Sequence, residues 1–164
     1  MVSIDFMQEI ENYIKQNLIY DYITGLLYKR SAGSELVLIG FDDIKGYKKV
    51  SILEKDIMIH RVAWFLFYRE WPTNQIDHIN RIKFDNRICN LREATSSENN
   101  INKPNQSNNT SGYKGVMYEK SSGKWIAYIG YNNKTIKIGR FINIEDAIKA
   151  RLDKEKEFYG EFSV

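Results

Sequence analysis

Asp77 and His78 stand side by side, Asn90 follows a polar stretch, and Asn99 comes shortly after it. These side chains suit one chemistry. Hydrolysis of a phosphodiester needs a base to activate water and a cation to stabilise charge on the phosphate and on the departing 3′ oxygen. Histidine, with an unperturbed pKa of about 6.5, is largely neutral near pH 7 and can take the proton. Asp and Asn offer oxygen donors, which suit Mg2+ or Mn2+ better than soft metals. Mg2+ keeps several waters and often takes one or two protein ligands, so Asp77 and Asn99 would suffice. Taken singly, each residue has a plainer use: an Asp-His pair on a surface, an Asn that caps or turns a chain. Asn80, Asp85 and Asn86 read as turn residues. Arg81, Lys83, Arg87 and Arg92 are cations that could meet either phosphate or water. His60, the other histidine, precedes an apolar helix and reads as structural, the lesser alternative being that it faces DNA.

The elements that must position these groups follow from local pattern. Phe6, Ile10, Tyr13 and Ile14 recur at helical spacing and predict a helix over 5–16. Leu18 to Tyr22 and Leu26 to Arg30 flank Ile23-Thr24-Gly25, a hairpin signal. Gly46 opens a strand over 47–53. His60 to Arg69 is dense in apolar residues, so this helix should be largely buried, with Trp71-Pro72 as its stop. Residues 75–79 and 88–94 read as strands joined by a long polar turn. Thr95 and Glu98 form a capping-box pattern, which starts a helix and puts Asn99 near its first turn. Residues 103–111 form a polar linker. Strands are then predicted over 113–119, 124–131 and 135–141. A last helix over 144–159 is capped by Asn143, lined on one side by Ala147, Ile148, Arg151 and Leu152, and ended by Gly160.

Composition bounds the class. The chain has 164 residues, 43% hydrophobic and 27% charged, which is globular rather than disordered. No apolar run is long enough to span a bilayer, and the start lacks a signal-peptide layout, so an intracellular, membrane-free protein is expected. The single cysteine, Cys89, excludes an intrachain disulfide and a cysteine zinc cluster, and its apolar setting suggests core. The net charge of +3 is unevenly spread. Residues 1–59 hold 7 Lys/Arg against 9 Asp/Glu, whereas residues 100–140 hold 7 Lys/Arg against the single acid Glu119. That local excess suits a polyanion.

Two stretches carry a family resemblance. Asp77-His78-Ile79-Asn80, Asp85-Asn86-Arg87-Ile88-Cys89-Asn90-Leu91-Arg92-Glu93-Ala94-Thr95 and Glu98-Asn99 resemble the core of HNH endonucleases, in the variant of phage and intron-encoded homing enzymes. Tyr20-Asp21, Thr24-Gly25, Gly46-Tyr47, His60-Arg61 and Glu70-Trp71-Pro72 resemble the usual lead-in. The resemblance implies a ββα-metal (His-Me finger) core with one divalent cation, Mg2+ or Mn2+. It implies His78 as general base, Asp77 and Asn99 as metal ligands, and Asn90 as the catalytic-motif residue that ties the loop and steadies the histidine.

Gly112-Tyr113-Lys114-Gly115-Val116, Gly123 to Ile129, Ile138-Gly139-Arg140-Phe141 and Glu145-Asp146-Ala147 resemble the plant ethylene-response-factor (Apetala-type) DNA-binding domain. There a three-stranded antiparallel sheet enters the major groove and a helix braces its back. A sheet fits that groove, and alternation gives it one DNA face. Lys124, Tyr128 and Lys137 are the leading candidates, followed by Lys114, Trp125, Lys134 and Arg140, with Lys103 in the linker; Trp125 and Tyr128 could instead pack under the helix. Met117, Glu119, Gly130 and Thr135 occupy positions where plant members carry base-reading arginines, which implies more reliance on phosphate.

The expected fold is therefore α+β, a ββα-metal core followed by a three-stranded sheet on one helix. The expected domains are 1–59 as a supporting region, 60–102 as the nuclease core, 103–111 as linker and 112–164 as the DNA-binding module. The expected function is metal-dependent endonuclease action of the homing type on double-stranded DNA, one nick per active site. The alternative is a catalytically inert DNA-binding regulator. An RNA-directed protein is disfavoured because the A-form major groove is too narrow for a sheet.

Overall fold

The computed structural model describes residues 4–103, 105, 109–132 and 134–162. The expected linker, and the turn between the strands expected over 124–131 and 135–141, thus lie partly outside the described residues. Two compact units divide between Glu93 and Ala94.

In the first unit, α1 (Ile4–Asn17) buries Ile10 and Ile14, two of the residues whose spacing predicts it. It leads into an antiparallel sheet of β1 (Leu18–Asp21), β2 (Leu26–Arg30) and β3 (Leu36–Leu38). A second antiparallel sheet holds β4 (Phe41–Asp42), β5 (Lys48–Ile52) and β6 (Lys55–Met58). Ile14, Leu27, Ile52, Val62 and Phe65 form the fully buried heart between these elements. β3, β4 and β6 have no counterpart in the sequence reading. They are short, and none of the three buries a residue, so the period-two signal of a half-buried strand is missing.

α2 (Ile59–Tyr68) buries Ile59, His60, Val62, Ala63 and Phe65. The expectation of a largely buried helix is corrected at its end, where Phe67 and Tyr68 are 44% and 46% exposed. The helix stops at Arg69, which turns left-handed (φ 67°) and donates its N–H to Phe65 O, before the Trp71-Pro72 pair is reached. β7 (Gln75–His78) then pairs with β8 (Leu91–Ala94), with a 3-10 turn at Ile88–Asn90 between them. Ala63, Ile76 and Leu91 form the small core that seats this sheet on α2, joined by Tyr20, Trp64 and Ile88. Cys89 is exposed, not core. Its neighbour Asn90 takes the interior side of the turn instead.

In the second unit, α3 (Ser96–Asn102) opens with the capping box: Glu98 N–H donates to Thr95 Oγ1 and Thr95 N–H to Glu98 Oε2. β9 (Val116–Glu119), β10 (Lys124–Tyr131) and β11 (Lys134–Phe141) form an antiparallel sheet with β10 central. β9 starts later than its pattern suggests, because Gly115 adopts φ 74° and Val116 N–H turns back to Tyr113 O. α4 (Ile144–Tyr159) covers one face through Ala147, Ile144 and Ile148. Asn143 stands at its N-cap without a side-chain cap bond, and Gly160 ends it at φ 49°. Leu152 is 44% exposed, so the expected side narrows to Ala147, Ile148 and Arg151. The buried Arg151 pairs with Glu155 through Nη1 to Oε2 at 2.5 Å. Ile101 of α3 packs with Ile129, Tyr159 and Phe162. α3 falls within the second unit, whose cluster also takes in Ala94, the last residue of β8. Among the described residues no helix is long and apolar enough to cross a membrane.

Candidate active site

Adjacent residues of a strand point to opposite sides, yet Asp77 and His78, at the end of β7, are both buried, at 6% and 5% exposure. The strand end is enclosed on both sides, and each residue has its own partner. Arg92, across on β8, places Nε at 3.0 Å and Nη2 at 2.9 Å from Asp77 Oδ2. His78 Nε2 lies 3.1 Å from Asn86 Oδ1. An amide oxygen only accepts, so this contact favours a proton on Nε2, which in the neutral ring leaves the lone pair on Nδ1.

Burial lowers the His78 pKa from its ordinary value, against the opposing pull of Asn86 and Asp77. Near pH 7 the ring is therefore a neutral base. Behind it stands His60, whose ring centroid is 5.2 Å away in an edge-on arrangement, with Tyr47 against both histidines. Burial, reinforced by His78 and Arg61, pushes the His60 pKa down to about 3. Among the described residues His60 Nδ1 is buried with no hydrogen-bond partner. His60 is buried, and its ring forms a wall beside His78.

Between the two strands the loop is bound to itself. Asn90 Oδ1 accepts from Asn80 N–H at 2.9 Å, and its Nδ2 donates to Asp85 O at 2.8 Å. Asn80 also donates to Asp85 Oδ2 and accepts from Ile82 N–H, so it serves the turn. Asp85 receives two bonds from Arg87, at 2.7 and 2.6 Å, and those bonds lower its pKa to about 2. Asn86, also read as a turn residue, is 3% exposed and holds the histidine. Its signal in the sequence is weak: one more Asn among several, with nothing local to mark it as buried.

Asn99 lies half-buried on α3, in the second unit, with its N–H on Thr95 O at 2.9 Å. Among the described residues no group of three or more His, Cys, Asp or Glu side chains could hold a metal. Asp77 supplies a buried carboxylate of the right chemistry, but its Oδ2 is engaged by Arg92, so a cation held there would sit beside that guanidinium or displace it. One carboxylate with amide, water and phosphate oxygens is a shell that Mg2+ accepts.

In the second unit the register sorts the basic residues. Tyr128 stands opposite Lys137, Lys124 opposite Glu119, and Ile126 opposite both Arg140 and Met117. Directly opposed residues share a face. Ala127 and Ile129 pack on the α4 side, so Lys124, Tyr128, Lys137 and Arg140 share the other face. Arg140 there bonds Glu119 through Nε at 3.0 Å. Trp125 packs in the core under α4, and Lys134 stands opposite Tyr131 of that same side. Trp125 therefore takes the packing role rather than a place on the open face. Lys114 donates from Nζ to the carbonyls of Asn100, Ile101 and Lys103, at 2.7, 3.1 and 2.5 Å, closing the end of α3. Lys103 Nζ donates to Asn100 Oδ1 at the same helix end.

Residues 58–101 match the family model of the HNH endonucleases. The match supports nuclease activity on DNA, and it spans α2, β7, β8 and most of α3. No curated protein and no solved structure matches the chain.

Proposed function

We propose that the protein is a metal-dependent DNA endonuclease of the homing type, with the HNH domain cutting and the three-stranded sheet holding double-stranded DNA. The observation that carries this reading is the strand end of β7. There an aspartate and a histidine are buried side by side inside the matched segment, each fixed by its own partner. β7, β8 and α3 follow one another in the order of a ββα-metal unit.

His78 takes a proton from water, and the resulting hydroxide attacks phosphorus. The bond to the 3′ oxygen breaks, and that oxygen leaves with the electron pair. Asp77, with Asn99, would hold one Mg2+ or Mn2+, which supplies positive charge at the phosphate and the leaving oxygen. Asn90 keeps the loop closed on the histidine strand. Each site cuts one strand, so one visit gives a nick. Lys124, Tyr128, Lys137 and Arg140 form the face we assign to the major groove, in the manner of an ethylene-response-factor sheet. Lys103 and Lys134, which lie off that face, are proposed as phosphate contacts.

Supercoiled plasmid incubated with protein and Mg2+ or Mn2+ should turn into nicked circles. EDTA should stop the reaction, and His78→Ala should abolish it while leaving DNA affinity within about twofold, because the residue acts in the transition state. Full nicking by His78→Ala, or full activity in EDTA, overturns the proposal.

A further inference from the structure

The hairpin of β1 and β2 touches the loop that holds the histidine. Tyr20 Oη donates to the backbone carbonyl of Asn86 at 2.6 Å, a contact that spans 66 positions of sequence. Burial raises the Tyr20 pKa, so the phenol keeps the proton it donates. At the hairpin turn, Gly25 lies flat on the same peptide. A Cβ there would stand 2.5 Å from Arg87 N and 2.7 Å from the Asn86 carbonyl carbon, and Gly25 has φ 76° besides. Only glycine meets both demands. The turn needs no such seat for its own sake: Asp21 accepts from Ile23 N–H, Thr24 N–H and the Thr24 hydroxyl, and its carbonyl receives Gly25 N–H.

We infer that the N-terminal hairpin belongs to the cutting machinery: Tyr20 and Gly25 fix the Asn86 backbone, and Asn86 fixes the ring of His78. The three are positioning residues. The hydroxyl sets the height of the Asn86 peptide, the glycine sets its distance, and the side chain carries that placement to His78 Nε2. Residues far from the chemistry in sequence thereby set the orientation of the His78 ring. The inference rests on His78 being the base, and its test separates the two.

Single-turnover cleavage of pre-bound DNA is measured beside DNA affinity, and the tautomer of His78 is read from its ring nitrogens by 15N NMR at one fixed pH. Tyr20→Phe should slow cleavage about tenfold, the scale on which second-layer partners act, with affinity unchanged and the Nε2–H population reduced. Gly25→Ala should do more. Asn86→Leu should do at least as much, whereas Asn86→Asp, which keeps an accepting oxygen, should recover most of the rate and the tautomer. Should Gly25→Ala fail to fold, Tyr20→Phe decides alone. Unchanged rate and tautomer in Tyr20→Phe, with His78→Ala inactive, overturns the relay and spares the base. An active His78→Ala overturns the base itself.

Discussion

Asp77 shares its buried pocket with Arg92, and a buried carboxylate that loses its guanidinium is costly. Arg92→Gln should therefore destabilise the metal-free protein by about 3 kcal/mol. A cation that binds only the folded state adds stability. Mn2+ should raise the melting temperature of Arg92→Gln more than that of the parent, because the metal replaces the charge removed. Equal shifts in thermal melts of the two would separate Asp77 from the cation. His60 makes a second prediction. Its folded pKa of about 3 lies below the ordinary 6.5, so the unfolded chain binds a proton that the folded one refuses. Its contribution is complete above pH 6.5 and declines as pH falls toward 3, and burial of His78 acts in the same direction. The loss from His60 alone should reach about 2 kcal/mol by pH 5. Asp85, lowered to about 2, acts only below that range. Urea midpoints at pH 7 and pH 5 should move further apart in the parent than in His60→Gln.

Elements were legible in the sequence where their signal is local. α4 matches its pattern from Ile144 to Tyr159, the capping box starts α3, and β1 and β2 flank their turn as the Thr24-Gly25 pair suggests. Within the site, Asp77, His78 and Asn90 were visible as types at a spacing. Asn86 was not, because what buries it comes from Tyr20 and Gly25, far away in sequence. The bonding of Lys114 was hidden for a similar reason: charge is visible in a sequence, whereas three carbonyls gathered at a helix end are not. This difference can be measured. Lys114→Met should speed hydrogen exchange of the α3 amides and change DNA affinity little. Lys124→Ala and Lys137→Ala should leave α3 protected, weaken binding, and each reduce the salt slope by about 1. A larger affinity loss for Lys114→Met than for Lys137→Ala would return Lys114 to the DNA face.

For the whole molecule, the division at Glu93–Ala94 alters what a truncation means. A chain ending at Asn102 retains α3 but removes Ile129, Tyr159 and Phe162, against which Ile101 packs. Helices this short are marginal without tertiary support. Deleting residues 103–164 should therefore lower helicity beyond the loss of α4 and reduce metal-dependent nicking together with target preference. Full plasmid nicking by that shorter chain would show that α3 stands without its sheet. The same question bears on preparing the protein. Its sole thiol faces solvent one residue before Asn90. Purification without reductant would let two copies join through that sulfur, and the resulting species would mimic a biological dimer until dithiothreitol dissolved it. Handled deliberately, the same atom accepts a maleimide fluorophore at a unique address beside the loop of Asn86 and Asn90, from which the arrival of DNA could be timed.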